Sequence, residues 1–343
     1  MLVTLREILP DAKKNRYAVG LFNTVDLEMA KGVLAAAEEA RSPVIIGSAE
    51  VLLPYTGLEE LTSFLVPLAK KATVPVVLHL DHGLTVDCVQ KAIDLGFTSV
   101  MYDCSTKSFQ ENIWDVKTMA DYAHRRGLSI EAELGHVGSN DGGAESVGEN
   151  DNSIYTEPEE ARAFAEATGV DALAVAIGTA HGAYKSKPKL DFNRLKEIAE
   201  IVETPLVLHG GSGLSDQDFR SAIANGISKV NIFTDINAAY ARYSHDNYTE
   251  GCGITDLMPG ITDAVKEATL EKMRVFGCPG HAAAYREYVV QGVVRNVMQA
   301  LRRSIRDDEL AARADADNFF LLLQEKDPAV IQQRLSAMAE EAR

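Results

Sequence analysis

Short apolar runs alternate with longer amphipathic ones from residue 17 to about residue 233. Eight of the short runs are compact and rich in branched side chains: YAVGLFN (17–23), PVIIGS (43–48), VPVVLHL (74–80), TSVMYD (98–103), LSIEAEL (128–134), ALAVAI (172–177), PLVLH (205–209) and SKVNIF (228–233). Several are almost wholly apolar, which predicts parallel strands covered on both faces. Between them, stretches such as LEMAKGVLAAAEEAR, VDCVQKAIDLG, ENIWDVKTMADYAHRRG, EPEEARAFAEATG, FNRLKEIAEIV and DQDFRSAIANG carry the helical period, and several end at Gly. Eight strands alternating with helices predict an α/β fold, a TIM (β/α)8 barrel over residues 1–255. An open doubly wound sheet is the alternative, but no GxGxxG follows the first strand. Beyond it, PGITDAVKEATLEKMRVFG, HAAAYREYVVQGVVRNVMQALRRS, DELAARADADNFFLLLQEK and DPAVIQQRLSAMAEEAR read as helices. Residues 256–343 are therefore expected to form a C-terminal helical extension, packed on the barrel or at a subunit interface.

Polar residues collect where the predicted strands end: Asn23, Glu50, Asp81, His82, Asp103, Ser105, Glu133, His181, His209, Ser212, Asn231 and Asp235. The βα loops of a barrel converge on that face, so active sites are built there. Three histidines stand out, each beside a glycine, in DHG, AHG and HGG. A catalytic zinc commonly takes three protein ligands and keeps an open position, so His82, His181 and His209 are candidate ligands. Zn2+ held there could polarise a carbonyl and stabilise the enediolate left by deprotonation of a neighbouring C–H. Asp81 precedes a ligand directly; it could exchange a proton with a substrate hydroxyl, or merely orient a histidine. Glu133, and with it Glu131, could support the histidines or take a transient metal position.

Two further segments suggest a phosphate site. HGGSG (209–213) leaves strand seven ahead of a helix starting near Ser215, and VNIFTD (230–235) closes strand eight. Loops after those strands often bind phosphate through backbone N–H groups and a helix N-terminus. Gly210, Gly211 and Gly213 permit close approach, Ser212 offers a hydroxyl, and Lys185 is either the countercharge or a solvated lysine of YKSKPK. The segment 135–158, rich in Gly, Ser, Asn and acid, is either a disordered insertion or a lid over the site.

A formal charge of −16 excludes a surface suited to nucleic acid or anionic membrane, while leaving room for a small phosphate pocket. No apolar run reaches the ~20 residues of a membrane span, and the first residues lack a secretory apolar core. Four cysteines without CxxC spacing fit reduced thiols, so a cytoplasmic location is expected.

Taken in order, LFNTVDLEMAKGVLAAAEEARSPVII, LHLDHG, MYDCSTKSFQENI, EAELGHVG, the run from YTEPEEARAFAEATG through GTAHGAYKSKPKLDFNRLKEI, PLVLHGGSGL and VNIFTD resemble the class II (zinc-dependent) fructose- and tagatose-bisphosphate aldolases over about residues 15–240. The resemblance implies a lyase that reversibly cleaves a phosphorylated ketose, a ketose 1-phosphate or 1,6-bisphosphate, into dihydroxyacetone phosphate and an aldehyde. It implies zinc at His82, His181 and His209, and proton transfer by Asp81. The phosphate of the ketone half would lie around Gly182, Lys185, Gly211, Ser212, Asn231 and Thr234, with Asn23 facing the site. A monovalent cation, Na+ or K+, often accompanies this site, and Gly182 and Gly210 could line it. The expected partner is a small phosphorylated sugar, and the expected assembly a homodimer or homotetramer.

The departures fall on the aldehyde half. Ala49 stands where the family has a serine, Phe233 replaces a small or acidic residue, and STKSFQ replaces the commoner Ser-x-x-Pro. The lid reads GSND, which leaves Asp141 as the acid for C–H proton transfer and Glu145 as a looser candidate. A relative acting on a non-fructose substrate, such as a deoxy-sugar acid phosphate, is therefore the alternative, followed by a non-catalytic phosphosugar-binding subunit.

Overall fold

The computed structural model describes residues 1–135, 138–139, 155–181, 188–282, 310–313, 319–322 and 330–334. The chain divides into one compact unit, Met1–Ala282, and a second, Ala283–Arg343.

All eight expected strands form, and they close into a parallel barrel. In chain order they are β1 (Val19–Asn23), β2 (Val44–Ala49), β3 (Val76–Gly83), β4 (Ser99–Tyr102), β5 (Ser129–Leu134), β7 (Ala172–Val175), β9 (Leu206–Leu208) and β10 (Ile227–Ile232). The closed order is β1-β10-β9-β7-β5-β4-β3-β2, which is the (β/α)8 arrangement. Two short segments, β6 (Gly138–Ser139) and β8 (Ala180–His181), pair with each other in parallel outside the barrel. Every residue of β1, β2, β5 and β10 is buried, as strands covered by side chains inside and helices outside must be.

The outer layer holds α2 (Leu27–Ala40), α3 (Leu58–Lys71), α4 (Val86–Asp94), α5 (Phe109–His124), α6 (Pro158–Thr168), α7 (Phe192–Ile201), α8 (Asp216–Ala224) and α9 (Thr234–Asn247). A helix that precedes the barrel, α1 (Leu5–Asn15), buries Leu5, Ile8, Leu9 and Ala12. Hydrogen bonds from Leu5 N to Ser129 Oγ (2.7 Å), Arg6 to Leu128 O (2.9 Å) and Lys13 to Val202 O (2.8 Å) lay it against the starts of β5 and β9. It thus seals the end of the barrel away from the polar strand ends.

PGITDAVKEATLEKMRVF, expected as a helix packed on the barrel or at a subunit interface, forms α10 (Ile254–Phe276), which belongs to the first unit. Its buried face (Leu257, Ile261, Val265, Leu270, Met273 and Phe276) covers α2 and α9. Gly32 of α2 is what lets the two helices approach, since a Cβ there would lie 2.7 Å from Thr262 O. The barrel therefore needs this helix as its wall between α2 and α9. In the second unit, DELAARADADNFFLLLQEK is not helical where described: Leu310–Arg313 and Phe319–Leu322 pair as antiparallel strands. The acid- and Asn-rich residues between these apolar runs are turn formers, a signal that the helical reading overlooked.

Candidate active site

Asp81 and His82 are adjacent on one strand, yet both belong to the site. A regular strand would send them to opposite faces. β3 solves this with a bulge: between the pairs Leu80↔Val100 and Gly83↔Tyr102 it advances three residues against two on β4. His82 takes up the extra residue at φ +40°, a left-handed conformation rare for a non-glycine residue. Gly83 follows where no side chain fits, because a Cβ would stand 2.5 Å from Met101 O. Such strain persists where the surroundings enforce it, and it concentrates at functional sites.

The carboxylate of Asp81 is held from both sides. Asn23 Nδ2 at the end of β1 donates to Oδ2 (2.7 Å), and Asn231 Nδ2 on β10 donates to Oδ1 (2.8 Å). Burial alone would raise this carboxyl, but the charges of His82, Lys229 and His209 outweigh burial and hold it at about 2. Asp81 is therefore an anion fixed in position beside the two imidazoles.

The rings of His82 and His209 stand 4.5 Å apart, and each is tied to carboxylates. His82 Nδ1 lies 2.7 Å from Asp103 Oδ2. His209 Nε2 lies 2.9 Å from Glu131 Oε1, and its Nδ1 lies 2.6 Å from Glu133 Oε2. Burial would lower the His209 imidazole, yet those two hydrogen bonds raise it to about 10. Glu131 is in turn paired with the fully buried Lys229, at 2.9 Å.

This donor set suits a divalent metal. Asp81, His82 and His209 offer ligand atoms within 4.8 Å of one another, as do His82, Asp103 and Glu133. Carboxylates on the outer nitrogens of ligating imidazoles are the usual means of fixing their orientation, and nitrogen with oxygen donors suits zinc. The third expected ligand, His181, is placed by its backbone in β8, just past the end of β7; its side chain lies outside the described residues.

Above these groups opens a cavity of about 540 Å³. Its lining gathers Asn23, Asp81, His82, Gly210, Gly211, Ser212, Asn231 and Thr234, all expected from the sequence. Gly210 (φ +64°) makes the turn that the loop after β9 requires. The helix N-terminus that meets the cavity is not the one HGGSG leads into. α8 is closed by its own residues, since Asp218 accepts from Ser215 N and Ser215 Oγ. α9 instead starts at Thr234 directly after β10, and Phe233 offers no side-chain cap to its first N–H groups.

Other polar strand ends serve the scaffold. Glu50 accepts from Leu84 N (2.6 Å), Thr85 N and Thr85 Oγ1, which ties β2 to the loop before α4. Asp235 pairs with Lys272 of α10 at 3.2 Å. Gly182, Lys185, Asp141 and Glu145 lie outside the described residues. Two groups went unmarked at the sequence level, and a third was given no role. Asp103 was placed only at a strand end, and His79 and Lys229 not at all, although a lysine between Ser228 and Val230 in a buried strand was a visible signal.

A parallel barrel with paired imidazoles and a clamped carboxylate at its C-terminal mouth is an arrangement suited to a barrel lyase. The chain belongs to the class II fructose-bisphosphate aldolase family, whose model matches residues 3–281. It is 40% identical over 289 residues to the fructose-bisphosphate aldolase of Geobacillus stearothermophilus, covering 82% of this chain and 99% of that protein. It is 39% identical over 287 residues to that of Staphylococcus aureus strain N315, with the same two coverages. Among solved structures it resembles the YdjI aldolase of Escherichia coli K12, at TM-score 0.74 and 40% identity over 82% of this chain and 100% of that one. The protein is thus a class II aldolase.

Proposed function

We propose that the protein is a zinc-dependent aldolase that reversibly cleaves a phosphorylated ketose into dihydroxyacetone phosphate and an aldehyde. The observation that carries this reading is the Asp81 carboxylate, held by Asn23 and Asn231 next to the His82–His209 pair at the base of the cavity.

His82 and His209 would hold the metal, with His181 as the expected third ligand and Glu133 close enough to His209 for an alternate position. Zinc bound there supplies Lewis acidity that polarises the ketone and steadies the charge that develops as the carbon–carbon bond breaks. The substrate phosphate fits against Gly210, Gly211, Ser212, Thr234 and the uncapped start of α9, where N–H groups and the helix dipole favour an anion. Lys185 and Gly182 are expected to complete that cradle. Asp81 takes the proton of the C4 hydroxyl as the C3–C4 bond breaks; C4 becomes the aldehyde and the bonding pair remains with C3. Asp141 is the expected acid that then protonates C3, with Glu145 as the other candidate. In the reverse direction Asp81 returns its proton to the aldehyde oxygen.

The rest of the cavity wall is largely apolar. Ala49, Val51, Leu52 and Leu84 line it, with Phe233 beside the cradle at the start of α9, and among the described residues no lysine or arginine faces the cavity. That wall favours a ketose 1-phosphate without a second phosphate. All four cysteines are free, which suits a cytoplasmic enzyme.

The test is a coupled assay for dihydroxyacetone phosphate across ketose 1-phosphates and fructose 1,6-bisphosphate, before and after EDTA. Chelation should abolish cleavage and Zn2+ restore it; full activity in chelator would overturn the metal reading. A charged contact is worth about 1.5–3 kcal/mol, so an enzyme with a second phosphate site would prefer the bisphosphate in kcat/KM by at least about tenfold. Such a preference would refute the apolar wall as the specificity element.

A further inference from the structure

Below the cavity, inside the barrel, lies a charge that no substrate can touch. Lys229 is 0% exposed, on a strand whose outward neighbours Ser228 and Val230 are equally buried. Its ammonium reaches Glu131 Oε1 at 3.1 Å and Oε2 at 2.9 Å, and Asn231 Oδ1 at 2.6 Å. Both acceptors also hold a group of the site. Glu131 Oε1 stands 2.9 Å from His209 Nε2, and Asn231 Nδ2 donates to Asp81 Oδ1 at 2.8 Å. One cation therefore stands behind both the imidazole expected to bind zinc and the carboxylate expected to move the proton.

The chemistry of these contacts leaves little choice of orientation. A carboxamide presents its oxygen and nitrogen ends with nearly the same shape, and only its neighbours decide which way it faces. With an ammonium donor on one side and a carboxylate acceptor on the other, Asn231 must aim oxygen at Lys229 and NH2 at Asp81. Glu131, held as an anion beside the ammonium, can only accept from His209, so Nε2 carries a proton and Nδ1, which faces Glu133 at 2.6 Å, is the ring nitrogen left to take up a metal. Remove the ammonium and Asn231 can turn over, while Glu131 is free to swing.

We propose that Lys229 is a positioning residue that aligns Asp81 through Asn231 and His209 through Glu131, coupling the proton-transfer carboxylate to the metal site. The kinetic arm of its test rests on the aldolase reading; the zinc arm does not. Simple neutralisation of Glu131 is the competing account, and it predicts an effect on stability alone.

The experiment compares the parent with Lys229→Met, which keeps the length of the side chain and loses every donor. Folding is checked by circular dichroism and melting, zinc affinity by chelator competition without substrate, and kcat and KM with the best ketose phosphate. Groups that orient metal ligands typically govern affinity or activity by about 10–100-fold. Losses of that size are expected in both zinc affinity and kcat, with KM moving less than about threefold. A folded Lys229→Met with zinc affinity and kcat both within about twofold of the parent overturns the proposal. Should Lys229→Met fail to fold, Lys229→Gln takes its place, because its one amide nitrogen cannot serve Glu131 and Asn231 as the ammonium does. At least one of the two quantities should then fall by about fivefold, and parental values for both overturn it. A parent that binds zinc but cleaves no ketose would sink the aldolase reading while the zinc arm still decides the role of Lys229 at His209.

Discussion

Replacing Asp81 by Asn removes the base while sparing its surroundings. The carboxylate takes one amide donor on each oxygen, from Asn23 at 2.7 Å and Asn231 at 2.8 Å. An asparagine at 81 can keep only one of those acceptors; its NH2 must meet an acceptor on the other side. Asn231 cannot supply one, because its oxygen is engaged by Lys229 at 2.6 Å. Asn23 can, since its Oδ1 is buried without a hydrogen-bond partner, and a half-turn of the amide offers it to residue 81. The hydrogen-bond pattern is thus restored by one flip, and the loss of stability comes from the charge: a carboxyl held at about 2 by His82, Lys229 and His209 contributes roughly 2–3 kcal/mol as an anion, which the neutral amide forgoes. Asp81→Ala would instead leave two buried amide donors facing a gap, at ~1–3 kcal/mol each. Positioned general bases contribute about 10²–10⁴-fold, so kcat of Asp81→Asn should fall by that factor, ~2.7–5.5 kcal/mol in barrier height. Zinc content should stay at the parental level, because Asp81 Oδ1 stands 4.0 Å from His82 Nε2 and does not orient that ring. Release of dihydroxyacetone phosphate, followed alongside metal analysis and a melting curve, reads all three quantities. A variant that keeps its zinc and turns over within tenfold of the parent would remove Asp81 from the proton transfer.

Two more perturbations probe the support of the site. Asp103→Ala deprives His82 Nδ1 of its 2.7 Å partner, so zinc affinity measured by chelator competition should weaken about 10–100-fold; an unchanged affinity would show that the bulge alone orients the ring. Gly83→Ala forces a methyl to within 2.5 Å of Met101 O and 2.6 Å of Val89 Cγ2, which should cost ~1–3 kcal/mol in chemical denaturation. Because relief of that clash must shift the bulge carrying His82, zinc affinity should fall with it; a destabilised protein with parental affinity would separate bulge from metal site.

All eight barrel strands were legible because each is short, apolar and bounded by helical periodicity, and the loop glycines and strand-end polar residues followed from them. α1 was not assigned, although Leu5, Ile8, Leu9 and Ala12 carry the helical spacing, since charged residues interleave them and no βα unit contains the segment. The tail departs from the helical expectation at Leu310–Arg313 and Phe319–Leu322, because segments of four residues cannot separate strand from helix by periodicity.

The chemistry was legible only in part, for reasons that lie in closure of the barrel. Glu131 and Lys229 are 98 residues apart and meet because β5 and β10 both send alternate side chains into the same interior. Neither residue calls for a partner in its own strand, and nothing local pairs the two. Asp81 and His82 show the reverse case. Two functional residues in succession contradict the two-residue period of a strand, and that contradiction was readable in LHLDHG before any coordinates. Its resolution, a bulge with a left-handed histidine ahead of a glycine, turns both side chains to the cavity. The site thus takes its ligands from a break in strand regularity and its alignment from the regular interior beneath. That division explains why motif spacing reached the first set of residues and missed the second.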